Sequence, residues 1–136
     1  MPELQDFSLV GGTALSLLYG HRISVDLDLF SDKPFENHVI ISALEKKFRT
    51  SFSNRSTNPR FGIFRDIAEL LQHFSIADFI RFHKEKYTTQ NLLITVPQAI
   101  TYFLDAEESE DPVSLKKQTW GGVKKFINAK VSTYLK

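Results

Sequence analysis

The pattern of apolar and polar positions in the first thirty residues predicts a strand, a glycine turn, a short helix and a second strand. A short apolar run at 7–10 stops at Gly11 and Gly12, and 13–18 holds helix-forming residues. Residues 25–29 alternate between apolar and acidic side chains, which is the period of a β-strand. This arrangement of short elements around a glycine turn is typical of a ligand-binding α/β unit.

The alternating segment predicts a site for a divalent cation. Side chains two apart on a strand share a face, so Asp26 and Asp28 are expected to point the same way, a few ångströms apart. Two adjacent carboxylates repel unless a cation or proton lies between them, and such oxygen ligands suit Mg²⁺ or Mn²⁺. The apolar residues between them are expected to face the core: Val25, Leu27 and Leu29.

The glycine turn predicts a site for phosphate. Gly11 and Gly12 lack β-carbons and let a ligand approach the backbone, and Thr13 is placed where it would cap a helix. Exposed N–H groups and the positive end of the helix dipole favour an anion. Arg22, just before the acidic strand, is expected to contact phosphate or to brace a carboxylate. A phosphate cradle beside paired carboxylates suggests phosphoryl or nucleotidyl transfer.

Each signal is weak when taken alone, and its common explanation is structural. Pairs of glycines are usually simple turns, and Asp-x-Asp sequences are common on solvated sheet edges. Their order and spacing between two predicted strands make the combined pattern specific.

The remainder of the chain predicts helices. Residues 35–48 carry one apolar stripe at helical spacing, whereas 49–60 are polar and predict a loop. A helical half begins at Asp66, and Ser75 with Asp78 predicts a capping box for a helix to about residue 87. Residues 92–106 are apolar and helical in pattern, so Pro97 must start a helix or kink one. Thr119 is expected to cap a last helix through about residue 135.

The 136 residues predict one domain, with an α/β core over 1–64 and a helical C-terminal portion over 65–136.

Composition excludes several classes of protein. The formal net charge of +1 predicts no global field for nucleic acid, and the absence of cysteine excludes disulfides and thiolate sites. No apolar run approaches the ~20 residues of a membrane span, and the N-terminus has no signal-peptide pattern, so a cytoplasmic location is expected.

The quoted residues also resemble a known family. Residues 9–15, LVGGTAL, and 20–30, GHRISVDLDLF, are similar to the nucleotidyltransferase AbiEii/AbiGii toxin family, within the DNA polymerase β-like nucleotidyltransferase superfamily. Residues 64–71, 91–108 and 120–127 resemble the helical end of these proteins. The resemblance implies a small mixed sheet with helices, of α/β (α+β) class.

The resemblance implies roles for individual residues. The catalytic and metal-binding residues would be Asp26 and Asp28, with Mg²⁺ or Mn²⁺ as the cofactor and a nucleoside triphosphate as the substrate. The implied acceptor is a hydroxyl group on RNA or protein, and the implied partner is a cognate antitoxin. The nucleotide-binding residues would be Gly11, Gly12, Thr13, Arg22 and Ser24.

One part of the family pattern is missing. The family has a third carboxylate on a further strand, but residues 48–64 hold no acidic residue, which suggests that a middle segment has been lost. Asp66 is interpreted as an acid in the first turn of a helix, where the helix dipole favours it. A catalytically degenerate remnant that binds nucleotide or protein is therefore the alternative function. An exposed sheet edge would also suit pairing with a second copy in a homodimer.

Overall fold

The computed structural model describes residues 1–49, 60–89, 93–108 and 111–136, and it has an α+β fold. A two-stranded sheet lies near the N-terminus and most of the remaining described elements are helices. The strands are β1 (Ser8–Val10) and β2 (Asp28–Phe30), and the helices are α1 (Gly11–Tyr19), α2 (Asn37–Lys47), α3 (Arg60–Leu70), α4 (Ile76–Lys86), α5 (Val96–Ile100) and α6 (Trp120–Tyr134).

The predicted strand, helix and strand are present in that order, but the glycine pair forms the first turn of the helix and not a separate turn before it. Strands β1 and β2 are antiparallel, and Ser8 pairs with Phe30 and Val10 with Asp28. Helix α1 follows β1 without a separate loop and ends at Tyr19, where the C-cap residue Gly20 adopts the left-handed conformation. The glycine pair therefore opens the helix, and residues 20–27 connect it to the acidic strand.

The predicted burial of the acidic strand is wrong. Only Asp28–Phe30 is a strand, so Asp26 precedes it, and the apolar side chains expected in the core are exposed, Val25 by 86% and Leu27 by 70%. Leu29 is exposed as well. Alternation predicts which side chains share a face, but a face is buried only if another element packs on it, and no described element does so here.

Several helix boundaries follow their local sequence signals. Ser75 and Asp78 form the predicted capping box of α4, which ends at Lys86. Pro97 lies in the first turn of α5, and Thr119 caps α6 by accepting from the Gly122 N–H. The apolar stretch at 92–106 is not one helix, because α5 ends at Ile100 and a separate 3-10 turn covers Leu104–Ala106.

The core lies in the helical half of the protein. Helix α3 packs against α6, and Phe64 contacts the rings of Phe103 and Trp120 at centroid distances of 5.0 and 5.9 Å. Trp120 thus serves as the packing anchor that its size predicts. The buried apolar residues are Phe64, Ala68, Leu71, Ile76, Ile100, Ala106, Val123, Ile127 and Val131.

The predicted loop and the predicted division of the chain concern the region around the start of helix α3. The predicted loop at 49–60 lies almost entirely outside the described residues. The division after residue 64 stays a prediction, although helix α3 runs across it.

Candidate functional site

The carboxylate of Asp28 lies against the backbone of the glycine turn. Gly11 has φ +69°, and a β-carbon placed on it would come within 2.5 Å of Asp28 Oδ2. The strand register explains this contact, because Val10 pairs with Asp28 and Gly11 is the next residue. The positive φ and the close approach both require glycine at position 11. An acidic side chain and the N-terminal end of α1 therefore adjoin.

The two acidic residues of the alternating segment are both exposed. Within residues 1–49, 60–89, 93–108 and 111–136, neither Asp26 nor Asp28 has a side-chain hydrogen bond or an ion pair. Carboxylates without such partners are open to a cation. Over the same ranges no three His, Asp or Glu side chains come together as a metal cluster.

Thr13 does not cap helix α1, so that prediction is wrong. Val10 precedes the helix, and Thr13 lies buried within its first turn. The Thr13 hydroxyl lies 2.9 Å from the Ser24 hydroxyl and donates to the backbone carbonyl of Asp26. The contact ties α1 to the segment that carries the acidic residues, and such long-range partners cannot be read from the local pattern.

Arg22 braces a carboxylate, which is one of the two roles that its position predicts. Its Nε donates to Asp66 Oδ1 at 2.7 Å and its Nη2 donates to Asp66 Oδ2 at 2.8 Å. His21 Nε2 lies 2.7 Å from the same Oδ1. All three residues are buried, and a two-armed arginine–carboxylate pair fixes both side chains in one plane.

The interpretation of Asp66 as a first-turn acid is wrong. Helix α3 begins at Arg60, so Asp66 lies in its second half, beyond the reach of the N-terminal dipole. Its role is set by Arg22 and His21, which are more than forty positions away along the chain. The only signal in the sequence was Arg22 itself, a cation that needed a carboxylate.

Helix α3 also holds the segment that leads into α6. Arg65 donates through Nε and Nη2 to the Asp111 carboxylate, at 2.7 and 2.6 Å. Glu69 accepts from Lys116 Nζ at 2.6 Å. Burial by itself would raise the pKa of Glu69, but the Lys116 and His73 hydrogen bonds outweigh it and hold the pKa below its usual value.

The segment around Ser114 completes the surroundings of Arg22. The Ile23 N–H donates to the Val113 carbonyl at 2.9 Å, and the Leu115 N–H donates to the His21 carbonyl at 3.0 Å. Arg22 and Ser114 thereby form an antiparallel bridge outside the two named strands. Residues 21–23 are thus held by α3 on one side and by residues 113–115 on the other.

The donor chemistry of the site fits a hard divalent cation. Asp26 and Asp28 offer carboxylate oxygens, and the missing side chain of Gly11 makes room for the Asp28 carboxylate. Helix α1 presents its N-terminal end at the same place, and that end favours anions. Together these groups could hold a metal ion and a phosphate group side by side.

A comparison with protein families assigns the chain to one of them. The family described as "Nucleotidyl transferase AbiEii toxin, Type IV TA system" matches residues 2–115, which is most of the chain. The protein belongs to the AbiEii family. The match includes the glycine turn, both acidic residues and Asp66, so the AbiEii assignment extends across α3 into the segment that pairs with Arg22.

Among curated proteins, this AbiEii-family chain is similar to an uncharacterized protein of Aquifex aeolicus (strain VF5). The two are 43% identical over 53 residues, which are 38% of this chain and 26% of the relative. The chain therefore matches only about a quarter of the length of that relative. No solved structure matches this AbiEii-family chain. Among its described helices, none combines the length and the apolar character needed to cross a membrane.

Proposed function

We propose that this AbiEii-family protein transfers a nucleoside monophosphate from Mg-NTP to a hydroxyl group on RNA or protein. Asp26 and Asp28 would hold Mg²⁺ or Mn²⁺, and the backbone at Gly11, Gly12 and Thr13 would face the triphosphate. In a toxin–antitoxin system of the type that the family description names, the partner would be a cognate antitoxin.

The contact between Asp28 and Gly11 carries this proposal. Nucleotidyl transfer needs a metal ligand beside a phosphate-binding backbone, and Asp28 would hold a divalent cation that offsets the charge of the phosphate groups there. Here the exposed Asp28 carboxylate lies against the first residue of α1, whose N-terminal amides have no partner within the helix. Two features from different parts of the sequence are thereby joined into one surface.

Each remaining residue has a defined task in this proposal. A bound divalent cation would orient the triphosphate and stabilise the leaving pyrophosphate. Asp26 and Asp28 hold that cation, and the Gly12 and Thr13 amides donate to phosphate oxygens. The buried Thr13 side chain keeps Ser24 and Asp26 next to α1. Arg22, whose Nε and Nη2 donate to Asp66, packs against the glycine turn and supports it.

Thermal melting with Mg²⁺ and each NTP tests the proposed pocket. A ligand at 100 times its Kd adds ~2.7 kcal/mol, which raises the midpoint by roughly several degrees in a domain of this size. We expect the rise for at least one NTP in the unmutated chain and its loss in Asp26→Asn and Asp28→Asn. Asp32→Asn, which removes an exposed acid just beyond β2, is the matched control and should keep the rise.

Transfer itself needs a second measurement. Incubation with labelled NTP, Mg²⁺ and either total RNA or the protein alone should label one of the two acceptors. Labelling should be lost in both Asp26→Asn and Asp28→Asn, and label that survives either change would contradict the assigned roles.

A degenerate nucleotide-binding or protein-binding module is the second candidate function. The observation in its favour is that the described residues bring no third acidic side chain to Asp26 and Asp28, and that Asp66 is bound to Arg22 and His21. A melting midpoint that rises with NTP, in a protein that transfers no nucleotide, would favour the nucleotide-binding module. A cooperative melt whose midpoint does not change with any NTP would favour the protein-binding module.

A further inference from the structure

The guanidinium group of Arg22 lies between two glycines. A β-carbon on Gly12 would overlap Arg22 Nη2, and a β-carbon on Gly62 would lie 3.3 Å from Arg22 Cζ. Gly12 belongs to the turn at the start of α1, and Gly62 belongs to α3. Helices α1 and α3 therefore meet through one planar cation, which explains a glycine within each of them at these positions.

The plane of that cation is set by Asp66. Its two carboxylate oxygens accept from Nε and Nη2 of Arg22, while His21 Nε2 is bound to Oδ1. The same Asp66 Oδ2 would lie 3.0 Å from a β-carbon on Gly12. The Asp66 carboxylate and the Arg22 fork together form the surface on which the Gly12 backbone rests.

We propose that Asp66 is a positioning residue for the glycine turn, which it orients through Arg22 without touching the ligand. The proposal rests on the proposed function, because the turn matters as the site for the triphosphate. A guanidinium held by two parallel hydrogen bonds has one orientation, so the backbone packed on it also has one orientation. The Gly11, Gly12 and Thr13 amides are then directed before nucleotide arrives, which lowers the cost of binding.

A second ion pair on α3 provides a matched control. Arg65 and Asp111 form the same two-armed geometry at similar distances, and the Arg65 side chain is as deeply buried as that of Arg22. That pair secures residues 111–118, since Arg65 Nη1 also donates to the Gln118 carbonyl, and neither residue closely approaches the glycines of the turn. We therefore expect Asp111→Asn to leave a buried arginine without its carboxylate and the glycine turn unaltered.

The first measurement is independent of nucleotide. Backbone amide NMR of the full chain should show that Asp66→Asn moves the resonances of Gly11, Gly12 and Thr13 by more than Asp111→Asn does. Arg22→Lys is the second variant, because lysine keeps the positive charge beside Asp66 but cannot donate along two fixed directions. It should move the same three resonances while the chain stays folded. Unchanged resonances, or equal shifts in Asp111→Asn, would overturn the positioning role.

The second measurement is the Kd for Mg-ATP, Mg-GTP, Mg-CTP and Mg-UTP, taken well below the melting midpoint of every variant. Loss of an outer partner that orients a metal-binding residue costs about 10–100-fold, and we expect Asp66→Asn and Arg22→Lys to weaken nucleotide binding by a similar factor. Asp111→Asn should not change the Kd. The double variant should lose no more than the worse single variant, because both changes remove one shared arrangement.

The two measurements separate the two proposals. If the unmutated chain binds no NTP, the proposed function fails, and the resonances of the turn still decide whether Asp66 positions it. If NTP binds and the Kd is the same in Asp66→Asn, Arg22→Lys and the unmutated chain, the proposed function stands and the positioning role is overturned.

Discussion

The Asp28 carboxylate occupies the space that a side chain on Gly11 would need. This contact depends on three features at once: the pairing of Val10 with Asp28, the positive φ of Gly11, and the absence of its β-carbon. It joins the strand that carries the acid to the helix that offers its N-terminus. The candidate site is therefore a consequence of strand register and not of the acidic motif alone.

Substitution of Gly11 should harm the site more than it harms the fold. Gly11→Ala places a β-carbon at a left-handed position, which costs about 1–2 kcal/mol, and it displaces Asp28 as well. Gly20→Ala is the control, because Gly20 has φ +58° but no described atom lies within 4 Å of its β-carbon position. Urea unfolding should show similar losses for both, whereas only Gly11→Ala should abolish the midpoint rise with Mg-NTP. If Gly11→Ala and Gly20→Ala affected nucleotide binding equally, the contact between Gly11 and Asp28 would have no role in the site.

Acid should destabilise the protein partly through Glu69. Its pKa in the folded state lies below its ordinary value of 4.5, so the unfolded chain binds more protons in this range. The stability that Glu69 contributes is complete above about pH 4.5 and is lost as the pH falls through the folded-state pKa. Glu69→Gln should cost about 1.5–3 kcal/mol at pH 7 and should reduce the slope of unfolding free energy against pH below 5.

The capping box of α4 should be visible in a titration. The Ser75 N–H and hydroxyl both donate to the Asp78 carboxylate, and with Arg81 they lower the pKa of Asp78 to about 2 from 3.8. Ser75→Ala removes the hydroxyl and keeps the backbone bond, so the pKa should rise only part of the way back. NMR titration of the Asp78 carboxyl measures this directly. The part of the stability that depends on the Asp78 charge should be lost between about pH 4 and pH 2, since the folded-state pKa is the lower one, whereas the bond from the Asp78 N–H to the Ser75 hydroxyl does not titrate.

The core between α3 and α6 should dominate stability. Ile127 is 0% exposed, so Ile127→Ala should cost about 2–5 kcal/mol by leaving a cavity. The melting midpoint should fall by roughly 10 °C or more. Ile63 on α3 is 48% exposed and offers the matched control, because Ile63→Ala removes the same atoms from a half-solvated position. Comparable losses from the two changes would mean that Ile127 does not lie in the core.

Local sequence signals predicted most of the helix ends. Ser75 with Asp78, and Thr119, each satisfy backbone groups three positions away, and Pro97 lies in a first turn where its missing N–H has no partner to lose. Their effect therefore does not depend on the rest of the fold. The family was also evident from the order of the glycine pair and the two acids. These features need no knowledge of which segments later pack together.

Signals that depend on packing were misleading. The alternation at 25–29 predicts one buried face, yet Val25 and Leu27 are exposed because no described element covers them. Thr13 is a residue type that often caps helices, but its hydroxyl donates a hydrogen bond to the Asp26 carbonyl, thirteen positions later. In both cases the local pattern is compatible with more than one environment, and the elements that pack nearby in the fold determine which one occurs.

Asp66 shows the difference between what the sequence determines and what the tertiary structure decides. The sequence by itself determined that Asp66 is helical, that Arg22 is a cation in need of an anion, and that the glycines at 11 and 12 allow a close approach. Only the tertiary structure decided that these residues meet, because helix α3 brings Asp66 next to residues more than forty positions earlier. Burial of the pair then makes the meeting specific, since a buried charge without its partner is strongly unfavourable.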